Sequence, residues 1–224
     1  MKKPFFIVNP KSYLYGTEIL KLARLTDKVA AKYNIDVMFT AKLIDFPEIM
    51  ANTSHLIYTA QHMDALTPGR GMGKVLPVAL KNRGIQAVVL NHAEHPLTLA
   101  QLDASMVLAK DLGLMTIVCS DTVAQSRAIA ELHPTAMICE PTSLIGTGST
   151  SNDQYIKDTD AAIRSVDPAI LIMQAAGVSS GEDVKKVMAL GADGSGATSG
   201  IIKAPDWESK LDEMIGAAAQ FSTR

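Results

Sequence analysis

The sequence predicts an α/β protein of the (β/α)8 barrel class, one domain over residues 1–224, and three observations carry that prediction. Short apolar runs alternate with segments of near-3.6 periodicity eight times, and strict alternation of this kind builds a parallel sheet. Eight units within 224 residues fit a closed barrel near the lower size limit of that fold, whereas a doubly wound open sheet usually has fewer strands. The composition is 47% hydrophobic but only 5% aromatic. The core is therefore aliphatic, as parallel strands buried on both faces require. No composition break marks a linker or a second domain.

The elements follow in order. Phe5 to Val8 is the first strand, ended by Asn9-Pro10-Lys11. Thr17 is expected to cap a helix through about Tyr33, with Ile19, Leu20, Ala23, Val29 and Ala30 near a helical period. Val37 to Thr40 is the second strand and Phe46 to Ala51 a short helix. Leu56 to Ala60 is the third strand, ending in Gln61-His62. Pro68 to Gly73 reads as a loop, and Leu76 to Asn82 as a short helix. Ala87 to Leu90 is the fourth strand, ending in Asn91-His92-Ala93-Glu94. Thr98 and Gln101 form a capping box for a helix to about Leu112, which Gly113 stops. Met115 to Cys119 is the fifth strand and Val123 to Leu132 a helix. Ala136 to Cys139 is the sixth strand, and Asp153 to Val166 is helical. Ile170 to Met173 is the seventh strand, and Ser180 caps a helix to Leu190. The stretch Gly191 to Gly200, G-A-D-G-S-G-A-T-S-G, stands in the eighth strand position. A last helix runs from about Asp206 to Ala219.

Charge and composition exclude several classes. The net charge is -2, and no basic stripe points to nucleic acid. No basic amphipathic segment or long apolar run points to a membrane, and the start of the chain is too short and polar-broken for a signal peptide. Cys119 and Cys139 fall in buried-looking strands without metal-ligand spacing. They suggest reduced thiols and a cytoplasmic location.

The chemistry gathers around M-I-C-E-P-T-S-L-I-G-T-G, Met137 to Gly148. A strand ends in a carboxylate, Glu140, and Pro141 and a Gly-ended loop follow. That is the layout of a base beneath a closing lid, although a surface Glu opening an ordinary loop has the same local pattern. Barrel active sites lie at the C-terminal ends of the strands. There the sequence places Asn9 and Lys11, Gln61 and His62, Asn91, His92 and Glu94, and Glu140. Small residues follow strands 7 and 8, including Gly177 and Thr198-Ser199-Gly200, at the usual phosphate position of this fold. A carboxylate can take a proton from carbon beside a carbonyl, a neutral imidazole can polarise that carbonyl, and an ammonium can stabilise the resulting enediolate. A lid would exclude water from it. Glu94 either pairs with Lys11 or favours a helix N-terminus. His62 and His95 carry no required role, and Cys139 has no local base.

V-N-P-K-S-Y, L-N-H-A-E, C-E-P-T-S-L-I-G-T-G and A-A-G-V-S-S-G-E-D together resemble the triosephosphate isomerase family, specifically its compact archaeal-type branch. The resemblance runs in order from about Phe5 to Ala204. It implies an aldose–ketose isomerase of glycolysis and gluconeogenesis, interconverting dihydroxyacetone phosphate and D-glyceraldehyde 3-phosphate. It further implies Glu140 as base, His92 as electrophile, and Asn9 and Lys11 as catalytic and substrate-binding residues. Ile145, Gly146, Gly177, Thr198 and Ser199 would hold the phosphate. No metal or cofactor is implied, and the partners would be a small phosphorylated sugar and further copies of the chain, as a dimer or tetramer. Met72, in the loop after strand 3, either joins such an interface or packs on its own barrel. The chain departs from the family pattern at Pro10, Ala93, Ala41-Lys42 and, most of all, strand 8. There Asp193 to Thr198 replaces an apolar run, so voids or a wider pocket are expected. The same mechanism on another short ketose or aldose phosphate therefore stays open, as does a weakly active or non-catalytic phosphate-binding barrel.

Overall fold

Eight parallel strands close into a barrel in chain order in the computed structural model, which describes residues 1–144 and 151–222. The strands are β1 (Phe5–Val8), β2 (Asp36–Ala41), β3 (Leu56–Ala60), β4 (Ala87–Leu90), β5 (Met115–Ser120), β6 (Ala136–Cys139), β7 (Leu171–Gln174) and β8 (Gly194–Ala197). The helices between them are α1 (Gly16–Tyr33), α2 (Phe46–Asn52), α3 (Pro77–Arg83), α4 (Leu99–Asp111), α5 (Val123–Ala130), α6 (Asp153–Arg164) and α7 (Gly181–Ala189). A short α8 (Ser199–Ile202) and a longer α9 (Trp207–Ala219) follow β8. Among the described residues, no helix is long and apolar enough to cross a membrane.

Alternation along the strands sorts side chains between two cores. Phe5, Ile7, Met38, Val89, Ile117, Cys119, Ile138 and Met173 fill the barrel interior. Phe6, Val8, Val37, Phe39, Val88, Leu90, Val118, Met137, Cys139 and Ile172 face the helices. The two cysteines are free and buried on opposite sides of the sheet.

The Thr98–Gln101 capping box and the Ser180 cap form as expected, the latter completed by Asp183. The first helix differs. It begins one residue before Thr17, with Tyr15 in the capping position and making no side-chain cap. The Gly16 N–H is satisfied from outside the helix, donating to Asp45 Oδ1 at 3.2 Å, so a local cap is not needed.

The eighth strand is regular, pairing residue for residue with β1 from Phe5↔Gly194 to Val8↔Ala197, and it corrects the expectation of voids. Its glycines do not leave voids. A Cβ on Gly194 would meet the Phe5 ring at 2.6 Å, and one on Gly196 would meet Ile7 O and Met173 Cε at 2.5 Å. The volume given up by β8 is filled by larger side chains from β1 and β7. Overpacking should then be costly. Gly194→Val is expected to lower the unfolding free energy by about 1–3 kcal/mol in urea denaturation, and an unchanged midpoint would contradict this packing. Asp193, just before β8, is buried. It accepts from Lys3 Nζ (3.3 Å), Arg164 Nη2 (3.0 Å) and the Ile172 N–H (3.0 Å). A buried carboxylate held from three sides pins the closing strand at the face opposite the site.

Candidate active site

Asn9 ends β1, and its Oδ1 accepts two hydrogen bonds: from the Lys11 N–H at 3.0 Å and from the Thr40 hydroxyl at 2.6 Å. The first closes an Asx turn over Pro10. It leaves Lys11 in the left-handed region at φ 47°. With its oxygen engaged, Asn9 offers its amide NH2 to the cavity it lines. The Lys11 carbonyl accepts from Gln61 Nε2 at 2.9 Å. The Lys11 side chain is 13% exposed, and its ammonium pairs with Glu94 Oε1 at 2.6 Å. Of the two readings of Glu94, the Lys11 partner is the one observed. That hydrogen bond holds the Glu94 carboxyl below its ordinary value.

His92 follows Asn91, which is itself left-handed at φ 57°. Asn91 bridges strands, with Nδ2 donating to Cys119 O and Oδ1 accepting from the Leu97 N–H, each at 3.0 Å. The Glu94 N–H donates to His92 Nδ1 at 3.1 Å. A backbone N–H can only donate, so Nδ1 carries no proton and the neutral ring holds its hydrogen on Nε2. Burial, reinforced by the Lys11 cation, lowers the His92 pKa from its ordinary 6.5, with Glu94 opposing. The imidazole is thus disposed to stay neutral.

Glu140 leaves β6 with its N–H bonded to Ser120 O at 3.0 Å. Burial raises its carboxyl pKa from the ordinary value, the Lys11 ammonium partly reversing this and Glu94 adding to it. Pro141 and a 3-10 turn, Thr142–Leu144, follow. Ile145 and Gly146 lie outside the described residues.

Across the mouth, Gly177 takes φ 68° after β7. Thr198 starts the four-residue α8, whose first residue is Ser199. A Cβ on Gly200 would meet Ser179 Cα at 2.8 Å, so only glycine lets α8 close on the β7 loop. The result is a concave nest of backbone and small side chains.

Asn9, Lys11, His92, Glu94 and Glu140 share one cavity of about 270 Å³ with Gly177, Thr198 and Ser199. Every described residue given a catalytic, supporting or phosphate-binding role lines it, whereas Gln61, His62 and Asn91 do not. A second cavity of about 400 Å³ shares Asn9, Lys11, His92 and Glu94 with it and adds Lys42, Gln61, His62 and His95. The two histidines, expected to be without a role, stack with ring centroids 3.7 Å apart. Lys42 reaches the carbonyls of Ser12 and Leu14, each at 3.4 Å. The position departing from the family pattern thus braces the loop that carries Lys11. Thr40 escaped the sequence reading. Its signal was parity with Met38, which puts a hydroxyl on the inner face at the strand's mouth end.

The sequence model of the triosephosphate isomerase family matches residues 4–214. The chain belongs to that family. It is 34% identical over 214 residues to the triosephosphate isomerase of Methanocaldococcus jannaschii, covering 93% of this chain and 97% of that one. It is 34% identical over 220 residues to that of Methanobrevibacter smithii, with 96% and 99% covered, and 30% identical to that of Methanosarcina barkeri, with the same coverage. Family membership matches the fold, since the family's eight-unit barrel is the one described above.

Proposed function

We propose that this chain is a triose-phosphate isomerase, interconverting dihydroxyacetone phosphate and D-glyceraldehyde 3-phosphate through an enediolate. The observation that carries the proposal is that a half-buried carboxylate, Glu140, and an imidazole whose Nε2 holds the proton line one cavity beside the Lys11 ammonium. Glu140 removes the proton from the carbon beside the carbonyl and, once the enediolate has formed, returns a proton to the neighbouring carbon, which completes the isomerisation and restores the carboxylate. The His92 Nε2–H polarises the carbonyl oxygen and moves the proton between the two oxygens. Lys11 stabilises the oxyanion, and Asn9 donates its amide. The backbone N–H groups around Gly177, Thr198 and Ser199 receive the phosphate, with Ile145 and Gly146 as the further donors suggested by the resemblance. The residues invoked need no metal or cofactor. The test is turnover of glyceraldehyde 3-phosphate that depends on Glu140.

The pH dependence follows from two opposite shifts. Glu140 must be ionised to act, and its pKa is raised from 4.5. The kcat/KM profile, which reports the free enzyme, should therefore fall on the acid side with a midpoint above 4.5, while His92, lowered from 6.5, contributes no limb at 6.5. A midpoint at or below 4.5 would contradict this assignment.

The partners are a phosphorylated triose and further copies of this chain. Apolar side chains stand exposed on three consecutive loops: Tyr13 (65%) and Tyr15 (73%) after β1, Ile44 (85%) after β2, and Met72 (103%) after β3. Clustered exposure of this kind supports a homo-oligomeric contact, and favours the interface reading of Met72 over packing on its own barrel. Light scattering should give a dimer or tetramer that Met72→Glu weakens; a monomeric wild type would remove the oligomer. The free, buried thiols of Cys119 and Cys139 support a cytoplasmic location.

A further inference from the structure

Below the mouth, the floor of the triose cavity is set by a side chain that crosses from one strand to another. Ile7, Ile138, Met173 and Gly196 each stand two positions before a mouth residue, respectively Asn9, Glu140, Ala175 and Thr198. Alternation puts them on the inner face, one step deeper in the barrel, and all four line the cavity of about 270 Å³. Three carry apolar side chains and the fourth carries none. The place a Cβ would take on Gly196 lies 2.5 Å from Met173 Cε and 3.1 Å from Ile7 Cβ. The Met173 thioether therefore extends from β7 across the bare face of β8 toward β1, and the residue is 3% exposed. Glycine at 196 makes the room, and an unbranched, adaptable methionine is the residue type that fills such a gap.

We infer that Met173 is a specificity-determining residue: its reach over Gly196 closes the floor of the cavity and limits the bound aldose or ketose phosphate to three carbons. The phosphate is held at the rim by Gly177, Thr198 and Ser199, and the reacting carbons are held by Glu140 and His92. An extra carbon between those two anchors must bow toward the floor, into the space Met173 fills. With that side chain cut back, position 173 and Gly196 together leave a hollow beneath the substrate chain. The same isomerisation then proceeds on a four-carbon aldose phosphate, Glu140 taking the proton from C2 and returning it to C1. The inference rests on the isomerase reading of the cavity.

The experiment compares Met173→Ala with wild type in turnover of D-glyceraldehyde 3-phosphate and D-erythrose 4-phosphate. Both proteins are also titrated calorimetrically with 2-phosphoglycolate and with 3-phosphoglycerate, the analogue one carbon longer. The tetrose-to-triose ratio of kcat/KM should rise about tenfold or more in the variant, and the affinity ratio should move the same way, since a pocket discriminates one carbon by about 10- to 200-fold. Met173→Leu, of similar volume, should keep both ratios within about threefold of wild type. Met173→Val also removes the reach across Gly196 and gives a second route should the alanine variant misfold. Unchanged ratios in the truncated variants, or a wild type that takes tetrose and triose equally well, would overturn the inference. Triose turnover is measured on the same wild-type preparation beside Glu140→Gln. Absence of Glu140-dependent turnover would sink the isomerase reading, while the two affinities would still decide whether Met173 closes the floor.

Discussion

Glu140→Asp is expected to lower kcat by about 100-fold or more while leaving the affinity for 2-phosphoglycolate within a few-fold of wild type. Aspartate retracts the carboxylate by one methylene, and a misplacement of about 1 Å at a reacting atom costs roughly two orders of magnitude. The phosphate nest, around Gly177, Thr198 and Ser199, is built by the loops after β7 and β8, and the substitution leaves those loops unaltered. The loss therefore belongs in kcat. The burial that raises the Glu140 pKa also strips the carboxylate of solvent, which sharpens its demand for correct placement. A near-wild-type kcat would remove Glu140 as the base.

Lys11→Ala is expected to weaken binding of an anionic enediolate analogue by about 100-fold or more. Removing one partner of a charge-assisted contact leaves the other unpaired in a poorly solvated site, and such losses run to about 3 kcal/mol. Two carboxylates then face the cavity, Glu94 and Glu140, with the compensating ammonium gone. The analogue's own charge meets net repulsion in place of attraction. Titration calorimetry at low salt reads the change directly, and wild-type affinity in the variant would place Lys11 outside the site.

The barrel was legible because its signals are local and repeated. Four-residue runs such as Phe5 to Val8 and Ala136 to Cys139 coincide with β1 and β6 residue for residue. Glu140, His92, Asn9 and Lys11 were legible because barrel chemistry sits where strands end, and each is a polar residue within three positions of the end of an apolar run. Strand 8 was misread for a physical reason: its stability lies in neighbours distant in sequence. The Phe5 ring and Met173 occupy the volume its glycines vacate, and glycine content alone cannot tell a filled site from an empty one. Tyr15 in place of Thr17 at the start of α1 is the same lesson, since the N–H there is satisfied by Asp45 from the next βα loop. The hold on Lys11 was invisible for a related reason. Thr40 and Gln61 each look like ordinary strand-end polar residues until the register of three adjacent strands brings them to Asn9 and to the Lys11 carbonyl.

The most direct test of the central claim is a coupled assay of the purified protein with D-glyceraldehyde 3-phosphate, run beside Glu140→Gln prepared identically. Rapid turnover in the wild type, reduced by orders of magnitude in the variant, is the expected result. It would assign the activity to this chain and not to a contaminating host isomerase. Turnover of equal size in both preparations, or none in either, would contradict the isomerase assignment.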